Sequence, residues 1–314
     1  MTRSPSILDR LREGTVLGDG GYLIELERRG YVASGSDQEQ VGTGRGSGQF
    51  TPEVAIENPD VLRGLHQEFL NAGSQVLQAL TFFATREKLT RAGYGDETER
   101  INEAAVRIAR DAAGNQALVA GTISRTQLFE RDGPTAASHV CDLFAEQVRL
   151  LESTGVDFLI VETFFQLDEA LIALKCARQT SLPILATMSF RPVTTQSSDA
   201  KSAAECARAL VDAGAHVVGA NCEQEPRRML EVLRRMRDAV DVPIAGQPAA
   251  FRTSDECPCF TRMPQFPDDL ESIQLPRREF TQFVRAAQSE GVGYIGGCCG
   301  CNAAYVRAMR RGLS

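Results

Sequence analysis

The chain has 314 residues, of which 43% are hydrophobic and 24% are charged, and its formal net charge is -7. This composition is typical of a globular protein with enough apolar material for a large core. The sequence pI is about 5.2, and the basic residues are spread along helical stretches. A nucleic-acid partner is therefore not expected.

The N-terminal sequence "MTRSPSILDRLREG" mixes charges of both signs and has no apolar segment of the kind found in signal peptides. No later stretch approaches the ~20 apolar residues that a membrane span needs. The nine cysteines are an odd number, which does not indicate a disulfide framework. These features predict a cytoplasmic protein, without a membrane partner, whose thiols are free for metal binding or catalysis.

Short runs rich in Val, Ile and Leu alternate with longer stretches of helical periodicity. This pattern indicates repeated βα units around a parallel sheet. Glycines mark the predicted helix ends at Gly73, Gly155, Gly214 and Gly291. The predicted helices include 59–72, 98–113, 136–153, 200–213, 225–239 and 277–290, and the predicted strands lie near 15–19, 75–82, 117–123, 158–162, 184–189, 216–221, 243–247 and 293–297.

Eight such strands predict an α/β fold, a (β/α)8 TIM barrel that forms one domain over residues 1–314. An open doubly wound sheet is the alternative, but no G-x-G-x-x-G follows the first strand. Insertions at 33–50 and 249–275 follow strand ends and are expected to be loops at the C-terminal face of the barrel. The Gly-rich segment 41–49 lacks the Gly-Lys-Ser/Thr of a phosphate-binding loop, so a mobile lid is expected there.

Side chains at the C-terminal ends of barrel strands converge on one mouth. The first predicted strand ends at Asp19, the fourth at Glu162 and the sixth next to Cys222, and Cys298 and Cys299 follow the eighth. Two carboxylates and three thiols are therefore expected to face one cavity. Zinc binds three thiolates readily, and catalytic zinc sites keep a fourth position open for water or substrate.

Cysteines also have simpler interpretations. A free cysteine is among the most buried residue types and often only fills space, which is what we expect of the helical residues Cys141, Cys176 and Cys206. A vicinal disulfide between Cys298 and Cys299 would strain the backbone, and a reducing compartment disfavours it.

Three further cysteines lie in or beside loops on the same rim. Cys257 and Cys259 belong to "ECPCF" in the second insertion, and Cys301 lies just beyond Cys299. They compete for the same role, so spacing alone leaves the ligand set of the metal site open.

Three stretches, "GDGGYLIELERRGYV" (18–32), "GANC" (219–222) and "YIGGCCG" (294–300), together resemble the homocysteine S-methyltransferase family, particularly its betaine:homocysteine branch. The likeness extends over nearly the whole chain. Further matching stretches, in the same order, are "TPEVAIENPDVLRGLHQEFLNAGSQVLQALTFFAT", "VDFLIVETF" and "GQPAAF".

The resemblance implies a (β/α)8 barrel whose Zn²⁺ is held by Cys222, Cys298 and Cys299, with the sulfur of homocysteine as the fourth ligand. The three competing cysteines match no ligand of the family. A free thiol, with a pKa near ~8.5, is mostly protonated at neutral pH, whereas a metal-bound thiol is deprotonated. The implied activity is in-line transfer of a methyl group from a small onium donor to homocysteine, which gives methionine.

By the same resemblance, Asp19 and Glu162 meet the ammonium group of homocysteine, and backbone groups around Gly20 and Ala79 lie near its amino-acid moiety. A structural ion pair at the strand end is the other interpretation of Glu162. No catalytic residue is implied beyond the zinc site. The histidines are expected to lie away from the mouth and to provide no catalytic base; they are His66, His139 and His216.

Members of the family that use betaine surround its trimethylammonium group with Trp and Tyr, whose ring faces attract cations. This chain has no Trp, and Phe50, Phe83 and Thr163 stand at the positions aligned with that cage. The expected donors are betaine, another methylated amine, or a sulfonium such as S-methylmethionine or dimethylsulfoniopropionate.

Two other functions stay open from the sequence. One is the homocysteine-activating component of a cobalamin-dependent methyl-transfer system, which would need separate folate and cobalamin domains. The other is a zinc-binding barrel without turnover. The expected partners are small molecules, namely homocysteine and a methyl donor, and the oligomeric state is not defined by the sequence.

Overall fold

The computed structural model describes residues 5–32, 52–190 and 196–313. The strands in this part of the chain are β1 (Val16–Leu17), β2 (Val76–Gln78), β3 (Leu118–Ser124), β4 (Phe158–Phe164), β5 (Ile184–Met188), β6 (Val217–Asn221), β7 (Ile244–Gln247) and β8 (Val292–Ile295). They form one sheet of order β1-β8-β7-β6-β5-β4-β3-β2 in which all neighbours are parallel. The Gln75 N–H donates to Leu17 O at 2.8 Å, which links β1 to the start of β2 and nearly closes the ring.

Helices alternate with the strands, and the predicted single-domain (β/α)8 barrel is confirmed. No helix in the described ranges is long and apolar enough to cross a membrane. The α-helices are α1 (Ile7–Glu13), α2 (Leu23–Arg28), α3 (Val54–Glu57), α4 (Pro59–Ala72), α5 (Arg86–Ala92), α6 (Thr98–Ala113), α7 (Leu128–Asp132), α8 (Ala137–Ser153), α9 (Leu167–Ala177), α10 (Ala203–Asp212), α11 (Pro226–Arg237), α12 (Arg277–Ser289) and α13 (Ala303–Leu313).

Capping interactions set the ends of these helices. Helix α4 has Pro59 in its first turn and ends at Gly73, whose φ of 110° is the left-handed conformation that glycine favours. Helix α10 begins later than predicted, because the Ser202 side chain accepts a hydrogen bond from Glu205 N while the Glu205 carboxylate accepts one from Ser202 N. This reciprocal capping box fixes the start of the helix.

The second strand is shorter than the predicted 75–82. Strand β2 ends at Gln78, and the Thr81 N–H turns back to bond Ala79 O at 2.7 Å. The apolar residues beyond Gln78 therefore leave the sheet and contribute to the mouth of the barrel, where Phe82 and Phe83 lie. Hydrophobicity alone does not distinguish a strand from a loop at the mouth of the barrel, because both bury apolar side chains.

Apolar side chains fill the interior of the barrel. Phe158, Leu185 and Tyr294 belong to a buried cluster inside the ring, and Ile7 of α1 packs against it. A larger cluster fills the space between the strands and the surrounding helices. The barrel is therefore a packed core rather than a pore, and the cavity with reactive side chains lies at its C-terminal end.

The capping box of α10 gives a test of this account of the fold. Replacing Ser202 by Ala removes the side-chain acceptor for Glu205 N, which should lower the free energy of unfolding by about 1 kcal/mol. Urea denaturation measures this change. An unchanged midpoint would show that the box does not stabilise α10.

Candidate metal and amino-acid site

Three thiols meet at the mouth of the barrel. The Sγ atoms of Cys222, Cys298 and Cys299 all lie within 4.8 Å of one another, and those of Cys222 and Cys299 are 3.5 Å apart. Sulfurs that share a tetrahedral Zn²⁺ with bonds of ~2.3 Å lie roughly 3.8 Å apart. In the described ranges, this is the one cluster of three or more His, Cys, Asp or Glu ligand atoms at such spacing.

Strained and glycine-containing turns bring the three sulfurs together. Cys222 and Glu223, directly after β6, have φ values of 60° and 58°, a conformation that costs a non-glycine residue of order 1–3 kcal/mol. Across the mouth, a Cβ on Gly21 would lie 2.5 Å from Cys298 O. Glycine at that position therefore lets the loop after β1 pass directly against the turn after β8 that carries Cys298 and Cys299.

The thiols influence one another's pKa. Hydrogen bonds from Cys298 and Cys299 hold the pKa of Cys222 well below its ordinary value. Hydrogen bonding to Cys222 raises the pKa of both Cys298 and Cys299 well above theirs. The cluster without a cation thus favours one thiolate stabilised by two thiols, and ionisation of the other two needs a positive charge.

The remaining cysteines lie outside this cluster. All nine cysteines are free, so Cys298 and Cys299 form no vicinal disulfide. Among the competitors at the rim, the Cys301 thiol donates to Pro248 O at 3.5 Å and the Cys257 thiol to Cys259 O at 3.5 Å. The helical cysteines Cys141, Cys176 and Cys206 pack in or against the apolar core.

A cavity beside the thiols is lined by the carboxyl group of Glu162, and Asp19 is the neighbour in sequence of the lining residue Gly20. It has about 700 Å³ of empty space, part of it open to solvent. Its lining includes Gly20, Ala79 and Glu162, three of the positions at which the resemblance implies amino-acid contacts, together with the three cysteines of the cluster. Asp19 is fully buried at its edge.

Asp19 has one oxygen occupied and one without a partner. Its Oδ2 accepts hydrogen bonds from Tyr22 OH and from Gln78 N, both at 2.6 Å. Its Oδ1 is buried and has no hydrogen-bond partner within the described residues. Burial raises the pKa of Asp19 to about 7, against the lowering effect of these hydrogen bonds.

Glu162 is also buried, and Asn221 fixes its orientation. Glu162 Oε2 accepts a hydrogen bond from Asn221 Nδ2 at 2.9 Å. Burial, and then the negative charges of Asp19 and Cys222, raise the pKa of Glu162 well above its usual value. None of the ion pairs found in the described ranges involves Asp19 or Glu162, so the structural ion pair considered for Glu162 is not among them.

Asn221 organises the strand ends next to the metal cluster, a role that the sequence analysis did not foresee. Its Oδ1 accepts hydrogen bonds from Thr163 N at 3.0 Å and from Thr187 Oγ1 at 2.9 Å, and its Nδ2 also donates to Thr163 Oγ1 at 2.6 Å. Thr163 has a φ of 63° and is not among the described residues that line the cavity. The available signal for Asn221 was its position in "GANC", directly before Cys222.

Of the aromatic positions expected in a donor pocket, Phe83 lines the cavity. It packs edge-to-face on Phe82, which also lines the cavity, with ring centroids 4.4 Å apart. The Nζ of the buried Lys88 lies 3.6 Å from the Phe83 ring centroid. Phe50 and the insertion 33–50, with its Gly-rich segment, lie outside the described residues.

The second insertion, 249–275, bonds to both turns that carry the cysteines. Phe260 N donates to Glu223 O at 3.0 Å, and Thr261 Oγ1 donates to Glu223 Oε2 at 2.6 Å. Ala250 N donates to Cys299 O at 2.8 Å. This segment therefore connects the end of β6 to the turn after β8 and stabilises their separation.

The histidines differ in position from one another. His139 lies on α8, and His216 Nδ1 accepts a hydrogen bond from Ile184 N at 3.0 Å. His66, on α4, is not among the described residues that line the cavity, but it is connected to the site, because its Nδ1 is 2.9 Å from the hydroxyl of Tyr22, which in turn bonds Asp19. The chain fold brings α4 next to the residues that follow β1, a contact that sequence spacing does not reveal.

Known structures share this fold. The metallated form of the homocysteine methyltransferase MmuM from Escherichia coli superimposes with a TM-score of 0.73 at 18% identity, covering 97% of this chain and 100% of that one. A methyltransferase from Methanosarcina mazei has a TM-score of 0.57 at 12% identity and covers 98% of this chain and 96% of its own.

Sequence comparison extends the likeness beyond the fold. Betaine–homocysteine S-methyltransferase 1 of Bos taurus is 36% identical over 98% of this chain and 74% of its own length. The S-methylmethionine–homocysteine S-methyltransferase of Pongo abelii is 36% identical over 98% of this chain and 81% of its own length. The sequence profile described as Homocysteine S-methyltransferase matches residues 16–313. The chain therefore belongs to the homocysteine S-methyltransferase family.

Proposed function

We propose that this protein transfers a methyl group from a small onium donor to the sulfur of homocysteine, with Zn²⁺ bound at the thiol cluster, and so forms methionine. The observation that supports this most directly is the cluster of three thiols within 4.8 Å, which lines one cavity together with the buried Glu162, while the buried Asp19 precedes the lining residue Gly20. A thiol-binding metal position and an ammonium-binding position next to each other match the two ends of homocysteine.

The donor set suits zinc. Cys222, Cys298 and Cys299 would hold the ion, because three thiolates on one face are a zinc-type set that leaves a fourth position open. When bound, Zn²⁺ keeps the substrate thiol deprotonated at neutral pH. The strained turn at Cys222 and the hydrogen bonds from the second insertion hold the ligand sulfurs in place.

The two carboxylates bind and orient the amino acid. Asp19 offers Oδ1, which has no partner among the described residues, and Glu162 faces the same cavity. An ammonium group between them compensates two buried carboxylates, of which Asp19 also raises the pKa of Glu162 by its charge. Backbone groups at Gly20 and Ala79 line the space beside this position.

The methyl transfer itself needs no general acid or base from the chain. The electron pair of the substrate thiolate forms the new S–C bond, and the pair of the breaking C–N or C–S bond stays with the donor, which becomes neutral. Phe82 and Phe83 supply aromatic surface beside the thiols, and ring faces attract onium groups. Betaine and S-methylmethionine, named for the two curated relatives, are the first donors to test.

A donor panel tests the proposed activity. Reduced, zinc-loaded protein is incubated with homocysteine and, separately, betaine, S-methylmethionine or dimethylsulfoniopropionate, and methionine is quantified by mass spectrometry. We expect turnover with at least one donor. Bound zinc and homocysteine without methionine formation from any donor would favour a non-catalytic barrel, and turnover only with a methylcobalamin protein would favour the cobalamin system.

The ligand assignment predicts metal content. Cys222→Ala, Cys298→Ala and Cys299→Ala should each lose zinc and lower turnover by more than ~100-fold, since even outer-shell changes around a metal cost 10–100-fold. Elemental analysis after dialysis measures the zinc. Cys257→Ala is the matched control, because this thiol lies outside the cluster, and it should retain one zinc per chain. Stoichiometric zinc in Cys298→Ala would contradict the assignment.

The raised pKa of Asp19, about 7 in the unliganded site, predicts how amino-acid binding depends on pH. The ammonium group is attracted by the carboxylate, which is the minor form at pH 6 and the major form at pH 8. The affinity of the metal-free protein for methionine, whose thioether does not titrate, should therefore rise severalfold over this interval. Calorimetry measures it. Asp19→Asn should bind weakly with little dependence on pH, and an equal pH dependence in this variant would exclude Asp19 as its source.

A further inference from the structure

A buried chain of hydrogen bonds runs from Asp19 through Tyr22, which lines the cavity, to His66 on α4. The Tyr22 hydroxyl lies 2.6 Å from Asp19 Oδ2 and 2.9 Å from His66 Nδ1. Tyr22 is 8% exposed, and Asp19 and His66 are 0% exposed. The three residues come from the loop after β1, the turn before α2, and α4.

The donors and acceptors in this chain are determined by proton count. A tyrosine hydroxyl has one proton. When Asp19 is a carboxylate, Tyr22 donates this proton in its short hydrogen bond to Asp19 Oδ2. His66 Nδ1 must then carry a proton and donate it to the Tyr22 oxygen. Burial lowers the pKa of His66 to about 3, so the ring is neutral, and its Nε2, which has no partner in the described ranges, carries no proton.

This arrangement selects which oxygen of Asp19 serves the substrate. Tyr22 OH and Gln78 N both donate to Oδ2, and neither donates to Oδ1. Rotation of the carboxylate would break two charge-assisted hydrogen bonds. Oδ1 therefore keeps a fixed position and has no hydrogen-bond partner within the described residues, next in the chain to Gly20 of the cavity lining.

The hydroxyl of Tyr22 is separable from its ring. The ring packs edge-to-face against His66 and Phe69, with both centroid distances 5.1 Å, and a phenylalanine ring would make the same contacts. Both hydrogen bonds of the hydroxyl within the described residues belong to the chain between Asp19 and His66. The hydroxyl thus orients Asp19, whereas the ring packs against His66 and Phe69.

We propose that Tyr22, with its hydroxyl oriented by His66, is a positioning residue of the amino-acid subsite: it holds Asp19 as a carboxylate with Oδ1 directed to the substrate ammonium. The inference rests on the proposed function for the identity of the amino acid. Tyr22 lines the cavity, and both hydrogen bonds of its hydroxyl run to Asp19 and His66, so the proposal assigns this hydroxyl to binding of homocysteine and not to the chemical step.

Tyr22→Phe tests the proposal by a split between KM and kcat. We expect the KM for homocysteine to rise about tenfold, because a hydrogen bond to a charged group is lost. The kcat at saturating substrates, the KM for the donor and the zinc content should stay unchanged. The Kd for methionine, measured by calorimetry, should weaken by a similar factor and does not require turnover.

Tyr305→Phe is the matched control. Its buried hydroxyl also bonds a protein acceptor, Leu275 O, but lies on α13 outside the cavity lining. Loss of this hydroxyl should affect stability and leave the KM for homocysteine unchanged. If the wild type is active and Tyr22→Phe has the same KM for homocysteine and the same Kd for methionine, this inference is overturned and the proposed function is not. If the wild type is inactive with every donor, the proposed function is overturned.

His66 provides a second, independent test. His66→Leu should raise the KM for homocysteine in the wild-type background and have no further effect in Tyr22→Phe, because its influence passes through that hydroxyl. In ¹⁵N-labelled protein, His66 should show a protonated Nδ1 and a bare Nε2. A protonated Nε2 with bare Nδ1 would mean that Tyr22 donates to His66 instead of Asp19, and would refute the proposal.

Discussion

The candidate site at the mouth of the barrel depends on one geometric constraint: three cysteine sulfurs must lie within 4.8 Å of one another. One comes from the end of β6 and two from the turn after β8, and β7 lies between these strands. The separation of the two turns is maintained by backbone hydrogen bonds on either side of Cys222 and Cys299 and by the second insertion, which contacts both. The left-handed conformation of Cys222 directs the chain sharply away from β6, and the cost of this strain is offset by the surrounding hydrogen bonds.

The same region concentrates acidic groups that have no cationic partner among the described side chains. Asp19 and Glu162 are buried close to the thiol cluster, and burial raises the pKa of both carboxyl groups, with the charges of Asp19 and Cys222 adding to the effect at Glu162. Such an arrangement disfavours ionisation while the site is empty and favours it when cations enter. A divalent metal and a substrate ammonium are cations of the appropriate kind, and each would increase the affinity of the site for the other. The electrostatic design therefore matches an amino acid that carries a thiol.

The residues behind this cavity give the acidic groups defined orientations. Asn221 binds Glu162 and the backbone of Thr163, and Tyr22 and Gln78 bind Asp19. Each carboxyl group thus has one oxygen fixed by the protein. Thr163, which the family resemblance placed in the donor pocket, is engaged with Asn221 by its hydroxyl. Among the aligned donor positions in the described ranges, the aromatic surface at the cavity is that of Phe83, extended by Phe82.

Much of this architecture follows from local patterns in the amino-acid sequence. Apolar runs of strand length between amphipathic helices predict the barrel, because parallel strands are buried on both faces and each helix buries one. The placement of Asp19, Glu162 and Cys222 at strand ends predicts a shared mouth, since the strands of a barrel run in the same direction. The resemblance selected Cys222, Cys298 and Cys299 among competing cysteines, and the structure brings these three together.

Contacts between distant segments required the folded structure. His66 is 44 residues from Tyr22 in the chain, and nothing in helix periodicity indicates that its buried face meets the loop after β1. The end of β2 at Gln78, the backbone strain at Thr163 and the hydrogen bonds of the second insertion likewise depend on three-dimensional packing. Hydrophobic patterning records which face of an element is buried, but not which partner covers it. For that reason the strands could be predicted from sequence patterns, and the clustered cysteines from the resemblance, whereas the hydrogen-bond chain that orients Asp19 could not.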